Sequence, residues 1–272
     1  MNVRIGFIGG GNMAEAFISG FVNGELILPS KIHVSDVNKE RLEYLKNTYG
    51  INVHETNVSV VLNSDIVFLS VKPQVMKAVL EEIKEALTPA QVVVSMAAGY
   101  PIKKIEETLG DDKKIVRIMP NILVKIRKGV IALTHNYRLL DEELSTVKEI
   151  LSDCGEVVEV EEKLFDAVTA ISGSGPAFIF LTIEALADGG VKAGLPREAA
   201  LKLVTATIVG SAEMVRNGEH PEVLKDKVTS PAGTTIAGLS ALEERGTRYS
   251  FIKAVEEAFK RSKEISELIE KL

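Results

Sequence analysis

The residues best suited to chemistry lie near the start of the chain. Gly9-Gly10-Gly11-Asn12-Met13-Ala14 follows the apolar run Val3-Arg4-Ile5-Gly6-Phe7-Ile8 and precedes an amphipathic stretch. This is GxGxx(G/A) at a strand-to-helix junction. Gly9 allows a tight turn, Gly11 lets the backbone approach a pyrophosphate, and Ala14 lets the helix pack closely on the sheet. The helix opening then offers free N–H groups and a partial positive charge to the phosphates. Such a turn binds a dinucleotide. Ser35-Asp36 ends the next strand, some twenty residues on. A carboxylate there accepts hydrogen bonds from the adenosine ribose hydroxyls and repels a 2′-phosphate, so Asp36 alone favours NADH. Lys39 and Arg41 follow closely enough to reach a 2′-phosphate, which leaves NADH against NADPH open.

Three further turns fall after apolar runs, where ligands bind in open parallel sheets. They are Ser70-Val71-Lys72-Pro73-Gln74, Ala97-Ala98-Gly99 and Met119-Pro120-Asn121. The small residues of the second permit close approach to a flat nicotinamide. Two segments of the second half are unusual loops for a helical region. In Ser172-Gly173-Ser174-Gly175-Pro176-Ala177, Pro176 suits the first turn of a helix. In Ser230-Pro231-Ala232-Gly233-Thr234-Thr235, a turn delivers two threonines into a helix start, a natural cradle for a carboxylate. Simple N-capping by Ser230 or Thr234 is the competing reading of the same residues.

The elements that must carry these turns differ between the two halves. Over residues 1–160 short apolar runs alternate with amphipathic segments. Strands are predicted at Val3–Ile8, Ile32–Ser35, Ile66–Ser70, Val92–Met96, Ile115–Ile118 and Gly129–Leu133, with helices at Lys39–Tyr49 and Val75–Leu87 among those between. This alternation predicts a parallel sheet covered on both faces. From 161 to 272 the pattern is helical almost throughout. Phe251, Ile252, Val255, Ala258, Phe259, Ile265, Leu268, Ile269 and Leu272 recur at helical spacing. The segment Ala177–Ala193 is apolar nearly all round, in a half too small to bury it. The expected fold is therefore α/β, an N-terminal Rossmann-type doubly wound sheet followed by an all-helical C-terminal domain that forms an intersubunit interface.

Composition narrows the function classes. The 272 residues carry 32 Lys and Arg against 38 Asp and Glu, a net charge of −6, without the basic footprint of a nucleic-acid binder. The single cysteine, Cys154, lies at a helix-to-strand turn and reads as structural. The four histidines, His33, His54, His135 and His220, lack metal-ligand spacing, so no metal site is expected. No uninterrupted apolar run reaches the length of a membrane span and the first residues do not form a leader pattern, so the expected location is cytoplasmic, without a membrane partner.

Taken together, these segments resemble the pyrroline-5-carboxylate reductase family over essentially the whole chain. The carriers are Gly6–Ala14, Val71–Gln74, Ala97–Gly99, Met119–Asn121, Ser172–Ala177, Ala185–Lys192 and, most specific, Leu224–Leu239. The resemblance implies NAD(P)H-dependent reduction of 1-pyrroline-5-carboxylate to L-proline, the last step of proline biosynthesis. It also implies a helical domain interlocked with a second subunit, a homodimer from which larger assemblies of dimers can form. By the same matching, Ile8, Gly9, Gly10, Gly11, Asn12 and Met13 contact the pyrophosphate side of the cofactor, and Asp36 and Asn57 the adenosine ribose. Ser70, Val71, Lys72, Pro73, Ala97, Ala98 and Gly99 contact it further along. Thr235 hydrogen-bonds the ring nitrogen as the catalytic residue, while the Gly233 and Thr234 N–H groups, with Ser230, hold the substrate carboxylate. Asp36 departs from members that carry a small hydroxyl residue there. Two other readings share the architecture. A 3-hydroxyacid dehydrogenase needs a lysine after Gly175-Pro176, where Ala177–Thr182 has none. A dinucleotide-binding regulator would not need Ser230–Thr235 intact.

Overall fold

Eight strands among the described residues form one sheet, in the order β3-β2-β1-β4-β5-β6-β7-β8. They are β1 (Ile5–Ile8), β2 (Ile32–Ser35), β3 (Asn52–His54), β4 (Ile66–Leu69), β5 (Val92–Ser95), β6 (Lys114–Pro120), β7 (Gly129–His135) and β8 (Gly155–Glu159). The computed structural model describes residues 1–271; Leu272, the last residue of the apolar series expected from the sequence, lies outside them. The helices between the strands are α1 (Asn12–Gly24), α2 (Lys39–Tyr49), α3 (Asn57–Leu62), α4 (Pro73–Ile83), α5 (Ile102–Leu109) and α6 (Asp141–Ser152). The order doubles back at β1, with β2 and β3 on one side and β4 onward on the other, which is the doubly wound arrangement.

Strands β1, β2, β4 and β5 are buried along their whole length, as runs covered on both faces must be. One face packs α1 through Phe17 and Phe21 against Phe7 and Phe68, with Phe7 and Phe68 stacked at 4.9 Å. Each such buried ring contributes roughly 1.5–3 kcal/mol. The other face packs α3, α4 and α5 through Val60, Met76, Leu80 and Ile105. Gly6 makes that approach possible, because a Cβ there would stand 2.6 Å from the Val60 side chain. Cys154 is fully buried under α1, and burial, with Asp153 adding to it, pushes its thiol up to about 12. That thiol is a packing group.

Three departures from the sequence reading have physical causes. The sheet is parallel except that β6 and β7 run antiparallel. Eight residues separate those strands, fewer than the dozen or so a parallel crossover needs. Strands β3 and β8 escaped notice because both are short and partly exposed and carry polar residues. The segment Ser172–Ala177 is not a loop: a π-helical turn, Thr169–Gly173, runs into the next long helix.

By compactness the chain separates into two units, one of Met1–Ser174 with the chain from Ala258 onward, the other Gly175–Glu257. Beyond β8 the helices are α7 (Phe165–Val168), α8 (Gly175–Lys192), α9 (Arg197–Arg216), α10 (Pro221–Lys227), α11 (Thr234–Glu244) and α12 (Thr247–Glu270). In the second unit α8 packs on α9, yet Phe180, Leu181, Leu203 and Val209 are 57%, 65%, 56% and 58% exposed, so the unit has little core of its own. The helical stretch Glu162–Lys192 is long and apolar enough to cross a membrane, with a mean hydropathy of 1.5 over 18 residues. The sequence reading rests on apolar runs, none of which is that long; in this stretch Ser, Thr and Gly break the run without lowering the mean far.

Candidate functional site

In the first unit, strand register brings the predicted turns to one sheet edge. Ile8 lies beside Ser35 and Leu69, and Leu69 beside Ser95. Gly9, Asp36, Ser70 and the Met96–Gly99 turn therefore leave adjacent parallel strands at their carboxyl ends. The doubling-back between β1 and β4 puts Gly9 at the crevice where such sheets take ligands. Ile8–Met13, Asp36, Ser70–Pro73 and Ala97–Gly99 all lie along this edge.

The three glycines have different jobs. Gly9 has φ +93°, and a Cβ on it would stand 2.6 Å from the Ser70 carbonyl oxygen. Its N–H donates to Ser35 O at 2.9 Å, and Ser70 N–H donates to Ile8 O at 2.8 Å, so Gly9 closes the turn. The Gly10 N–H donates to Asp36 Oδ2 at 2.7 Å. Gly11 is the N-cap of α1, in an extended conformation open to any residue, and a Cβ on it would meet nothing within 4 Å. Among the described residues no acceptor takes the N–H of Gly11, Asn12 or Met13, and no side chain caps α1. Three donors at a helix N-terminus beside an open glycine fit a pyrophosphate.

Asp36 serves the turn before it serves any ligand: Oδ2 takes Gly10 N–H and Oδ1 takes Asn38 N–H at 2.8 Å. Each carboxylate oxygen keeps capacity for a second donor, so ribose hydroxyls still fit. Asn57 opens α3, and its amide is oriented twice over. Its Oδ1 accepts from the Ser35 hydroxyl at 2.7 Å, and its Nδ2 donates to Glu82 at 2.7 Å.

The Ala97-Ala98-Gly99 turn is held by residues that local sequence patterns did not single out. Gly99 has φ +71° and lies against the backbone of Ser266 in α12. Asp166 Oδ1 accepts from the hydroxyls of Ser262 and Ser266 at 2.7 and 2.9 Å. Glu162 accepts from the Ile102 N–H at 2.8 Å and from Arg117 at 2.9 Å. Arg117 is buried in β6 with its guanidinium 4.7 Å from the Phe165 ring centroid. A cation inside the apolar run Ile115-Val116-Arg117-Ile118-Met119 was the available signal. Asn121, at the end of β6, is a structural hub: it accepts from Leu123 and Val130 N–H and donates to Ser172.

In the second unit, Ser230–Gly233 forms the turn before α11. Gly233 is the N-cap and no side chain caps the helix, which removes the N-capping reading of Ser230 and Thr234. Gly233 N–H closes the turn onto Ser230 O at 3.1 Å, and Ala232 takes φ +55°. The Ser230 hydroxyl occupies the space a Cβ on Gly233 would fill. At the start of α11 the N–H groups of Thr234, Thr235 and Ile236 have no acceptor among the described residues, and the first two lie one residue on from the expected pair. The Thr235 hydroxyl is likewise without a partner within the described chain and is half-buried. The arrangement can take a carboxylate on two N–H groups with hydroxyls beside it.

Compared with known proteins, residues 162–265 match a family model described as pyrroline-5-carboxylate reductase dimerisation. Residues 4–99 match one described as NADP oxidoreductase, coenzyme F420-dependent. A pyrroline-5-carboxylate reductase of Methanosarcina acetivorans is 44% identical over 265 residues, which is 97% of this chain and 98% of that protein. One of Arabidopsis thaliana is 43% identical over 265 residues, 97% and 96% of the two chains. The crystal structure of Plasmodium falciparum pyrroline carboxylate reductase with NADP bound superposes with a TM-score of 0.89 at 36% identity, covering 97% of this chain and 98% of that one.

Proposed function

The chain belongs to the pyrroline-5-carboxylate reductase family, and on that premise we propose how its residues divide the reaction. It is an NAD(P)H-dependent oxidoreductase that reduces the C=N bond of 1-pyrroline-5-carboxylate to give L-proline. When bound, the reduced nicotinamide supplies a hydride to the ring carbon of that bond. The protein's work is to hold both reactants and place a proton, and most of the rate comes from positioning and electrostatics.

The Gly11, Asn12 and Met13 N–H groups take the pyrophosphate, while Gly9 and Gly10 shape the turn. Asp36 and Asn57 face the ribose, and Ser70–Pro73 with Ala97–Gly99 line the remainder of the cofactor. The Thr234 and Thr235 N–H groups grip the substrate carboxylate, with Ser230 and Gly233 shaping the grip. The Thr235 hydroxyl donates to the imine nitrogen or relays its proton. An imine takes its proton from water or a weak donor, so hydroxyls suffice where no carboxylic acid is offered. The single observation that carries the reading is the set of N–H donors left without acceptors at the starts of α1 and α11.

The division at residues 160 and 161 belongs to the same reading, with a dinucleotide-binding part before it and a helical substrate-binding and dimerisation part after it. The family match that begins at residue 162 supports it, as do the exposed apolar faces of α8 and α9. We read the apolar stretch Glu162–Lys192 as subunit contact in a cytoplasmic homodimer that can assemble further, without nucleic-acid or membrane partners. Sedimentation should then give a particle at least twice the 29.5 kDa chain mass; a 29.5 kDa particle would overturn the interface.

The decisive test follows NADH and NADPH oxidation separately, with 1-pyrroline-5-carboxylate as acceptor. Turnover with one or both cofactors is expected, and absence of turnover with either refutes the assignment. The ratio of the two rates measures the preference that Asp36 leaves open.

A further inference from the structure

Arg41 has no part in the reading above, although the sequence puts it within reach of a 2′-phosphate. Its guanidinium is committed elsewhere. Nε donates to Gly10 O at 2.6 Å, and Nη2 lies 3.4 Å from Gly11 O and 2.5 Å from Glu15 Oε2. Glu15 stands one turn into α1, and its other oxygen accepts from the hydroxyls of Tyr44 and Tyr49, each at 3.0 Å. Burial pushes the Glu15 carboxyl up, but the hydrogen bonds from Arg41, Tyr44 and Tyr49 outweigh it and hold the group below the usual carboxylate range. The Arg41 guanidinium also lies 5.2 Å from the centroid of the Tyr44 ring. Thus α2 grips both the glycine turn and the first turn of α1.

Peptide geometry turns this grip into a functional statement. A trans peptide is planar, so its C=O and N–H point in opposite directions. Holding the Gly10 carbonyl toward α2 directs the Gly11 N–H away from α2. Holding the Gly11 carbonyl does the same for the Asn12 N–H. Both are among the donors at the start of α1 that no acceptor takes within the described residues. The Gly11 carbonyl also accepts from the Glu15 N–H of α1 at 3.0 Å, so it is the Gly10–Gly11 peptide plane, between two glycines, that would rotate without the grip.

We propose that Arg41 is a positioning residue that presets the phosphate-binding N–H groups of the glycine turn, and that it does so equally for NADH and NADPH. The proposal rests on the assignment of that turn to a dinucleotide. It reverses the obvious part for a cation near the end of β2: Arg41 strengthens the common pyrophosphate site and leaves the 2′ position unread.

The test uses the full-length protein and its variants Arg41→Gln and Arg41→Lys. Calorimetry measures binding of NADH, NADPH and ADP-ribose, the last lacking both nicotinamide and 2′-phosphate. In Arg41→Gln all three dissociation constants should rise by about tenfold or more, the worth of a lost charge-assisted hydrogen bond. The rise should be the same for all three, with kcat at saturating cofactor unchanged. Arg41→Lys, which keeps the charge but not the fork, should fall between. Glu15→Gln, which removes the ion pair and leaves the carbonyl bonds, should give a smaller rise and serves where Arg41→Gln does not fold. A loss confined to NADPH would overturn the proposal by making Arg41 the reader of the 2′-phosphate. Unchanged affinity for ADP-ribose would overturn it by making the grip irrelevant to the pyrophosphate. Tight ADP-ribose binding that weakens in the variants supports it even if the wild-type chain does not reduce 1-pyrroline-5-carboxylate, an outcome that would sink the assigned reaction alone.

Discussion

Gly11→Val should leave the fold intact and abolish useful binding of both NADH and NADPH. Gly11 is extended, in a region any residue adopts, and a Cβ there meets nothing within 4 Å. The melting temperature should therefore stay close to that of the wild type. A ligand pyrophosphate, however, must lie against this backbone, and the valine side chain would stand in its way. Overpacking costs about 1–3 kcal/mol and a lost hydrogen bond to a charged group about 1.5–3, so KM should rise about 100-fold or more. Gly9→Val should behave in the opposite order. At φ +93°, with the Ser70 carbonyl oxygen 2.6 Å from any Cβ, the substitution strains the turn itself and lowers the melting temperature. Cofactor titration and thermal unfolding on both variants separate the two roles. A Gly11→Val protein that binds NAD(P)H normally would show that the pyrophosphate lies elsewhere.

The contrast marks what a sequence can carry. The turn from Gly9 to Ala14 is legible because each position answers to chemistry within a few residues of itself. Asp36 is legible by type and distance, but its first task, accepting Gly10 N–H, depends on β1 and β2 lying side by side. The support beneath Ala97–Gly99 is further from view: Arg117 meets Glu162 across 45 residues, and Asp166 meets Ser266 across 100. No local pattern encodes such pairs, although a lone arginine in an apolar strand announces that some partner exists. Arg41 shows the same limit. Its residue type suggested a phosphate, whereas the packing of α2 on α1 gave it two carbonyls and a carboxylate. The antiparallel β7 was readable from the short link after Pro120, because eight residues cannot make a crossover. The edge strands β3 and β8 were not, because their polar, half-exposed residues resemble loops. At α11 the sequence reading assigned the grip to the Gly233 and Thr234 N–H groups, but only the folded turn reveals that Gly233 N–H is spent on Ser230 O, which moves the proposed grip one residue on.

That one-residue shift sharpens the expectation for Thr235. Its hydroxyl has no partner within the described chain, so Thr235→Ala orphans no neighbour and alanine suits the first turn of a helix at least as well. Stability should hold, and cofactor affinity should stay near the wild-type value. The hydroxyl's loss falls on the transition state, where hydride arrival makes the imine nitrogen more basic and a positioned donor matters most. A lost donor of this kind costs about 100-fold or more in water-excluded sites, and solvent can replace part of it, so kcat should fall roughly ten- to a hundredfold. The substrate KM should rise much less, because the carboxylate is held by backbone N–H groups that alanine retains. Thr235→Ser restores the hydroxyl and should recover most of kcat. A threonine hydroxyl does not titrate near neutrality, so the pH profile of Thr235→Ala should keep its shape while dropping in height. If kcat is untouched, or if NAD(P)H affinity falls as far as turnover does, Thr235 is not the donor to the imine nitrogen.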